Sequence, residues 1–123
     1  MSDRAMQEPT LLLLAALAGE PRHGYALIRE VHAISAGRVR LRVGTLYSAL
    51  DRLLREGLIR VEREEVIDGR ARKIYALADP GHDVLTAEAE RLRALLAAVE
   101  QSIQPRKRPT RAAISPSPKG ALA

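Results

Sequence analysis

The side chains best suited to a chemical task lie between Arg38 and Lys73. Arg40 and Arg42 alternate with Val39, Leu41 and Val43; Thr45, Ser48 and Arg52 follow at helical spacing; and Arg70, Arg72 and Lys73 come directly after an Asp68-Gly69 pair. A guanidinium offers a rigid fork of donors that fits a phosphate or the edge of guanine, and a short hydroxyl reaches phosphates or base edges. The set is built to bind a polyanion. It contains no nucleophile–base pair, no glycine loop able to cradle a phosphate and no acidic cluster shaped for a metal, so catalysis is not expected.

The elements that must position these groups follow from periodicity. Thr10 to Ala18 is apolar on nearly every side, with Pro9 suited to a first turn, and reads as a buried helix covered by other layers or by a second subunit through residues such as Leu13. HGYALIREVHAISAG places Leu27, Ile28, Val31 and Ile34 on one face of a second helix that ends at Gly37. Arg38 to Val43 alternates strictly and predicts a short extended segment, its arginines on one face and Val39, Leu41 and Val43 on the other. A third helix starts near Gly44, turns Leu46, Leu50, Leu53 and Leu54 inward and stops before Gly57, which leaves Thr45, Ser48 and Arg52 facing outward; Arg55, near the helix end, reads as a DNA contact or equally as a solvated charge answering the helix dipole. LIRVERE and KIYALA read as two strands of a hairpin turning at Asp68-Gly69. Asp79 caps a last helix with Pro80 in its first turn.

The fold class is therefore mainly α with a small β-hairpin: a winged helix-turn-helix over residues 9–78, a dimerisation helix over 79–103 and a disordered basic tail over 104–123. In such a unit the second helix of the helix-turn-helix enters the major groove. Arg40 and Arg42 read as phosphate contacts, or as charges guarding an extended edge. The tip bearing Arg70, Arg72 and Lys73 reads as a contact to the backbone or minor groove, or as an ordinary solvated turn.

Charge is sorted along the chain. The formal excess of +5 equals the contribution of Arg106, Lys107, Arg108, Arg111 and Lys119 in the tail, so residues 1–103 are neutral. Within them, residues 38–73 carry ten basic and six acidic side chains, whereas residues 79–103 carry two basic and five acidic ones. That is the pattern of one face meeting a polyanion and another avoiding it. The tail is either an arm that tracks DNA or a solubilising end.

Leu85, Leu92, Leu96, Val99 and Ile103 form a heptad-like seam in the last helix, which a domain this small cannot bury alone. A homodimer is the expected assembly. The chain has no Cys, no Phe and no Trp, and three scattered His. No disulfide, metal or cofactor is expected, and a pocket with aromatic walls for a small-molecule effector is disfavoured. Leu11 to Ala18 is too short to span a bilayer and follows a segment carrying Asp3 and Glu8 as well as Arg4, so neither a membrane span nor a signal peptide is expected and the cytoplasm is the expected compartment.

HGYALI at 23–28, GTLYSALDRLLREGLI at 44–59, RKIYAL at 72–77 and Gly81 together resemble the PadR-like family of transcriptional regulators, over about residues 9–103. The resemblance implies a dimeric winged-helix repressor with C-terminal dimerisation, and places Tyr47 near the DNA backbone; periodicity alone makes Tyr47 equally a half-buried packing residue. Ser48 stands where many members have proline, and the single helix after the hairpin matches a short subgroup. The alternative is a winged-helix module that docks on another protein, whose surface should be apolar or mixed in charge rather than rich in arginine.

Overall fold

The computed structural model describes residues 6–103; the expected basic tail lies outside the described residues, as do residues 1–5. Helices α1 (Glu8–Gly19), α2 (Gly24–Ile34) and α3 (Val43–Arg55) precede an antiparallel hairpin of β1 (Ile59–Ile67) and β2 (Arg70–Leu77), and α4 (Asp79–Ser102) follows. The chain divides into two compact units between Ala89 and Glu90, so the first turns of α4 belong with the helices and the hairpin.

The core of the first unit is leucine laid between helices. Leu13, Leu14 and Leu17 of α1, Leu27 and Val31 of α2, and Leu46, Leu50 and Leu53 of α3 are all 0–3% exposed, and Ile59 and Tyr75 close the cluster from the hairpin. Burying a leucine fully contributes about 1.5–3 kcal/mol, so this stripe is what fixes the rotation of α3 about its axis. Leu13 was expected at a subunit interface. At 0% exposure it is instead sealed inside its own domain and has no surface left for a partner. Ile34, expected to face inward from α2, is 45% exposed because the chain turns away at Ser35.

The joints are specific. His23 caps α2 by accepting a hydrogen bond at Nδ1 from the Ala26 amide (3.3 Å). Past the end of α2, Ala36 and Gly37 both adopt positive φ (55° and 82°), and the Gly37 amide donates to the His32 carbonyl at 2.8 Å, a closure that glycine favours. Residues 39–42 form no regular element and pair with no strand, with extended backbone at Arg42, and Val43 becomes the first residue of α3 with 46% exposure instead of facing the core.

Both strands run further than LIRVERE and KIYALA suggested. Pairing continues from Ile59–Leu77 to Ile67–Arg70, with one irregularity between Val61 and Arg63. Asp68 (φ 53°) and Gly69 (φ 76°) make the two-residue turn. A further bridge, not foreseen, joins Arg22 to Tyr75 through reciprocal backbone bonds of 3.0 and 2.9 Å and ties the α1–α2 connection to β2. Asp79 lies just inside α4 rather than before it: the Ala78 carbonyl already accepts the His82 amide at 3.0 Å.

Leu85 is half-buried against the core of the first unit. In the second unit, Leu92, Leu96, Val99 and Ile103 are 38–64% exposed, together with Leu95 at 50%, which the heptad spacing left out. Among the described residues no helix is long and apolar enough to cross a membrane.

Candidate nucleic-acid interface

Ion pairing separates the ten basic residues of 38–73 into two groups. Arg38 is held by Glu8 at 2.6 Å, and that carboxylate is kept below its usual range by the hydrogen bond and charge of Arg38. Arg60 pairs with Glu62 at 3.5 Å, and Arg63 with both Glu62 and Glu65 at 2.5 Å, so both arginines of the first strand are met by carboxylates of the same strand. Arg52, expected on the outward face, donates from Nη2 to Thr10 Oγ1 at 3.1 Å and lies 3.7 Å from Glu56.

Arg72 is also engaged. Its guanidinium carbon sits 4.7 Å from the centre of the Tyr25 ring, and its Nε is buried without a hydrogen-bond partner. A cation over an aromatic face is attracted by the ring quadrupole, so Arg72 braces the hairpin against α2. Among the described residues, the remaining five (Arg40, Arg42, Arg55, Arg70 and Lys73) are exposed and have neither hydrogen-bond nor ion-pair partners in their side chains.

Three of the five lie on α3 or its approach, and two lie on the hairpin. Arg40 and Arg42 lie on the approach to the helix; Arg42 occupies its N-cap with extended backbone (φ −84°, ψ 152°) and no side-chain cap. Helix N-terminal amides left without a side-chain partner, with the helix dipole behind them, favour an anion. Thr45 and Ser48 are exposed on the first turns. Arg70 stands at the hairpin tip and Lys73 three residues along β2.

The structure brings Tyr47 together with the hairpin. Tyr47, Asp51, Ala71, Arg72, Lys73, Tyr75 and Gly24 line one cleft of about 350 Å³ between α3 and β2. Tyr47 is 38% exposed, and its ring fills the space a side chain on Gly24 would need: an added Cβ would lie 2.9 Å from Tyr47 Cζ and closer still to the hydroxyl. Tyr47 is thus both a packing residue and a hydroxyl at the cleft mouth. Burial, then the neighbouring Tyr47 and Asp51, raises the pKa of the Tyr75 phenol. Asp51 adds a negative charge to the cleft that the outward-face reading had left out.

Sequence reasoning left Arg55 open between a DNA contact and an ordinary charge at the helix end, and it missed the division of labour among the arginines, since partners such as Thr10 and Tyr25 are remote in the chain. The Asp68-Gly69 and Gly57 signals were sufficient for the turn and the helix end.

Three helices with a hairpin wing, a leucine-oriented third helix and unpaired cations around it define a winged-helix protein. Residues 13–87 match the model of the PadR-like family of transcriptional regulators. Over 85 residues the chain is 36% identical to the transcriptional regulator Rv3488 of Mycobacterium tuberculosis, covering 69% of this chain and 76% of that protein. It is also 37% identical over 95 residues (77% of this chain) to an uncharacterised 37.1 kDa transposon protein of Streptomyces fradiae, of whose length it spans 26%. The fold is shared with a PadR family regulator of Clostridium difficile (TM-score 0.67, 23% identity, 79% of this chain and 99% of that one). A PadR-like regulator of Bacillus cereus has it too (TM-score 0.66, 22% identity, 79% and 92%). The chain belongs to the PadR-like family of transcriptional regulators.

Proposed function

We propose that the chain binds double-stranded DNA sequence-specifically as a homodimer and represses transcription, with α3 in the major groove and the hairpin on the adjacent backbone or minor groove. The observation that carries this reading is the segregation of unpaired cations: Arg40, Arg42 and Arg55 lie on α3 or its approach, Lys73 shares a cleft with Tyr47 of that helix and Arg70 stands at the hairpin tip, while the other basic residues of this region are paired or stacked. Unpaired cations release counterions when they meet phosphates, which drives association. Thr45 and Ser48, short and exposed near the start of α3, read base edges.

Dimerisation is supported by Leu92, Leu95, Leu96, Val99 and Ile103, a run of large apolar side chains left 38–64% exposed on one helix. Such a stripe in water calls for a cover, and a second copy supplies a matching one. A two-fold axis would set two copies of α3 on half-sites one helical turn, ~34 Å, apart.

Selection of bound duplexes from a random-sequence pool tests this. Enrichment of a two-fold-related motif with half-sites ~10 base pairs apart is the expected result. Failure to enrich any sequence, at salt concentrations where the protein stays folded, would turn the reading towards a protein-docking module.

A further inference from the structure

Two arginines on α3 differ in surroundings, and the difference assigns them different tasks. Each residue of an α-helix turns by about 100°, so positions can be placed around α3 relative to the buried stripe of Leu46, Leu50 and Leu53. Ser48 and Arg55 fall ~165–175° from the middle of that stripe, directly outward, whereas Arg52 falls ~125° away on the flank towards α1, a flank shared by Thr45 (~105°) about two turns nearer the start of the helix.

Contacts agree with the placement. Arg52 reaches back to the first turns of α1, donating to Thr10 Oγ1 at 3.1 Å, and its charge is met by Glu56 at 3.7 Å. Arg55 is exposed, and among the described residues no side chain or backbone group engages it.

Position along the helix adds the second half. From Gly44 to Arg55 the axis advances ~16 Å, more than the ~12 Å width of the major groove. If the start of α3 reads bases, its far end has reached the groove wall, where the phosphates lie. Arg55 carries a flexible side chain and an uncompensated charge to that wall.

Resting on the DNA-binding reading above, we infer that Arg55 is a phosphate contact on the groove wall, and that Arg52 is a positioning residue which fixes the angle of α3 by clipping it to Thr10. Arg55 supplies affinity without sequence preference. Arg52 supplies preference without a phosphate contact, because Thr45 and Ser48 meet base edges only if α3 is held at one angle.

The test uses the full chain and a duplex selected from a random pool, with a scrambled duplex of equal length, each titrated at two or more salt concentrations. Arg55→Gln should weaken both duplexes by a similar factor, ~5–10-fold at 0.1 M salt, and reduce the salt slope by about one. Arg52→Gln should leave the slope unchanged and lower the ratio of selected to scrambled affinity by ~10-fold or more, with a lower melting temperature. Thr10→Val keeps Arg52 but removes its acceptor, and should reproduce the loss of ratio; it decides the matter if Arg52→Gln does not fold. The inference is overturned if Arg55→Gln behaves as wild type, or if Arg52→Gln cuts the slope while Thr10→Val changes nothing. Absence of any selected duplex for the wild-type chain would instead remove the DNA-binding reading, and this inference with it.

Discussion

Tyr47 and Gly24 form a lock whose two halves come from different helices. A methyl on Gly24 would meet Tyr47 Cζ at 2.9 Å, its hydroxyl more closely, and Leu46 Cδ2 at 3.3 Å, and Leu46 is fully buried and cannot yield. Gly24→Ala should therefore destabilise the domain by ~1–3 kcal/mol, the range for overpacking, and push Tyr47 out of the cleft. Thermal melts check the first effect, and the phenol's chemical shift in an NMR spectrum checks the second. His23, beside it, makes a pH-dependent cap. Burial first, then the charges of Arg72 and Arg29, lowers its folded pKa below the ordinary 6.5, with Glu65 and Asp68 opposing. The unfolded chain then binds the proton more readily than the folded one, so the contribution is fully present above about pH 6.5 and is lost as pH falls through the lower, folded value. Melting curves from pH 8 to pH 5 should show this decline in the wild type and a shallower one in His23→Asn, which keeps an N-cap acceptor that does not titrate. Equal declines in the two proteins would dissociate His23 from the effect.

The elements differ in how plainly the sequence announced them. Leu46, Leu50 and Leu53 recur at helical spacing and are all buried, so α3 and its outward face were legible from periodicity alone. The hairpin turn was legible too, since Asp68 and Gly69 both sit at positive φ, where Gly is the residue of least strain. Gly69→Ala should cost ~1–2 kcal/mol and loosen the strand ends, measured by thermal melts and by amide exchange of Val66 and Ala71, which pair next to the turn. Strand length was not legible. In the EVIDGRAR segment the apolar Val66 and Ile67 are adjacent and so fall on opposite faces among charged residues, and a two-stranded ribbon largely exposed to water gives no apolar alternation to count. The Arg22–Tyr75 bridge and the tying of Arg52 to Thr10 were invisible for another reason: both join residues more than 40 apart in sequence, and no local pattern encodes them. Leu13 shows the same gap from the opposite side, because an all-apolar α1 reads alike whether its own domain or a partner covers it.

At the scale of the molecule, affinity and assembly are separable. Leu92 and Leu96 lie in the second unit and are 38% and 56% exposed, so replacing both by Asp leaves the core of the first unit untouched. Sedimentation should then show a monomer with an unchanged near-native helix signal, and DNA affinity should fall by ~10²-fold or more as the linked second half-site is lost. A dimer that persists would place the interface elsewhere. The claim on which the rest depends is sequence-specific DNA binding through α3, and one titration addresses it: the full chain on a selected duplex and on its scrambled counterpart, at 50 and 200 mM salt. A preference of ~10³-fold or more, with affinity falling steeply as salt rises, is the result this account requires. Weak binding of equal strength to both duplexes would contradict it.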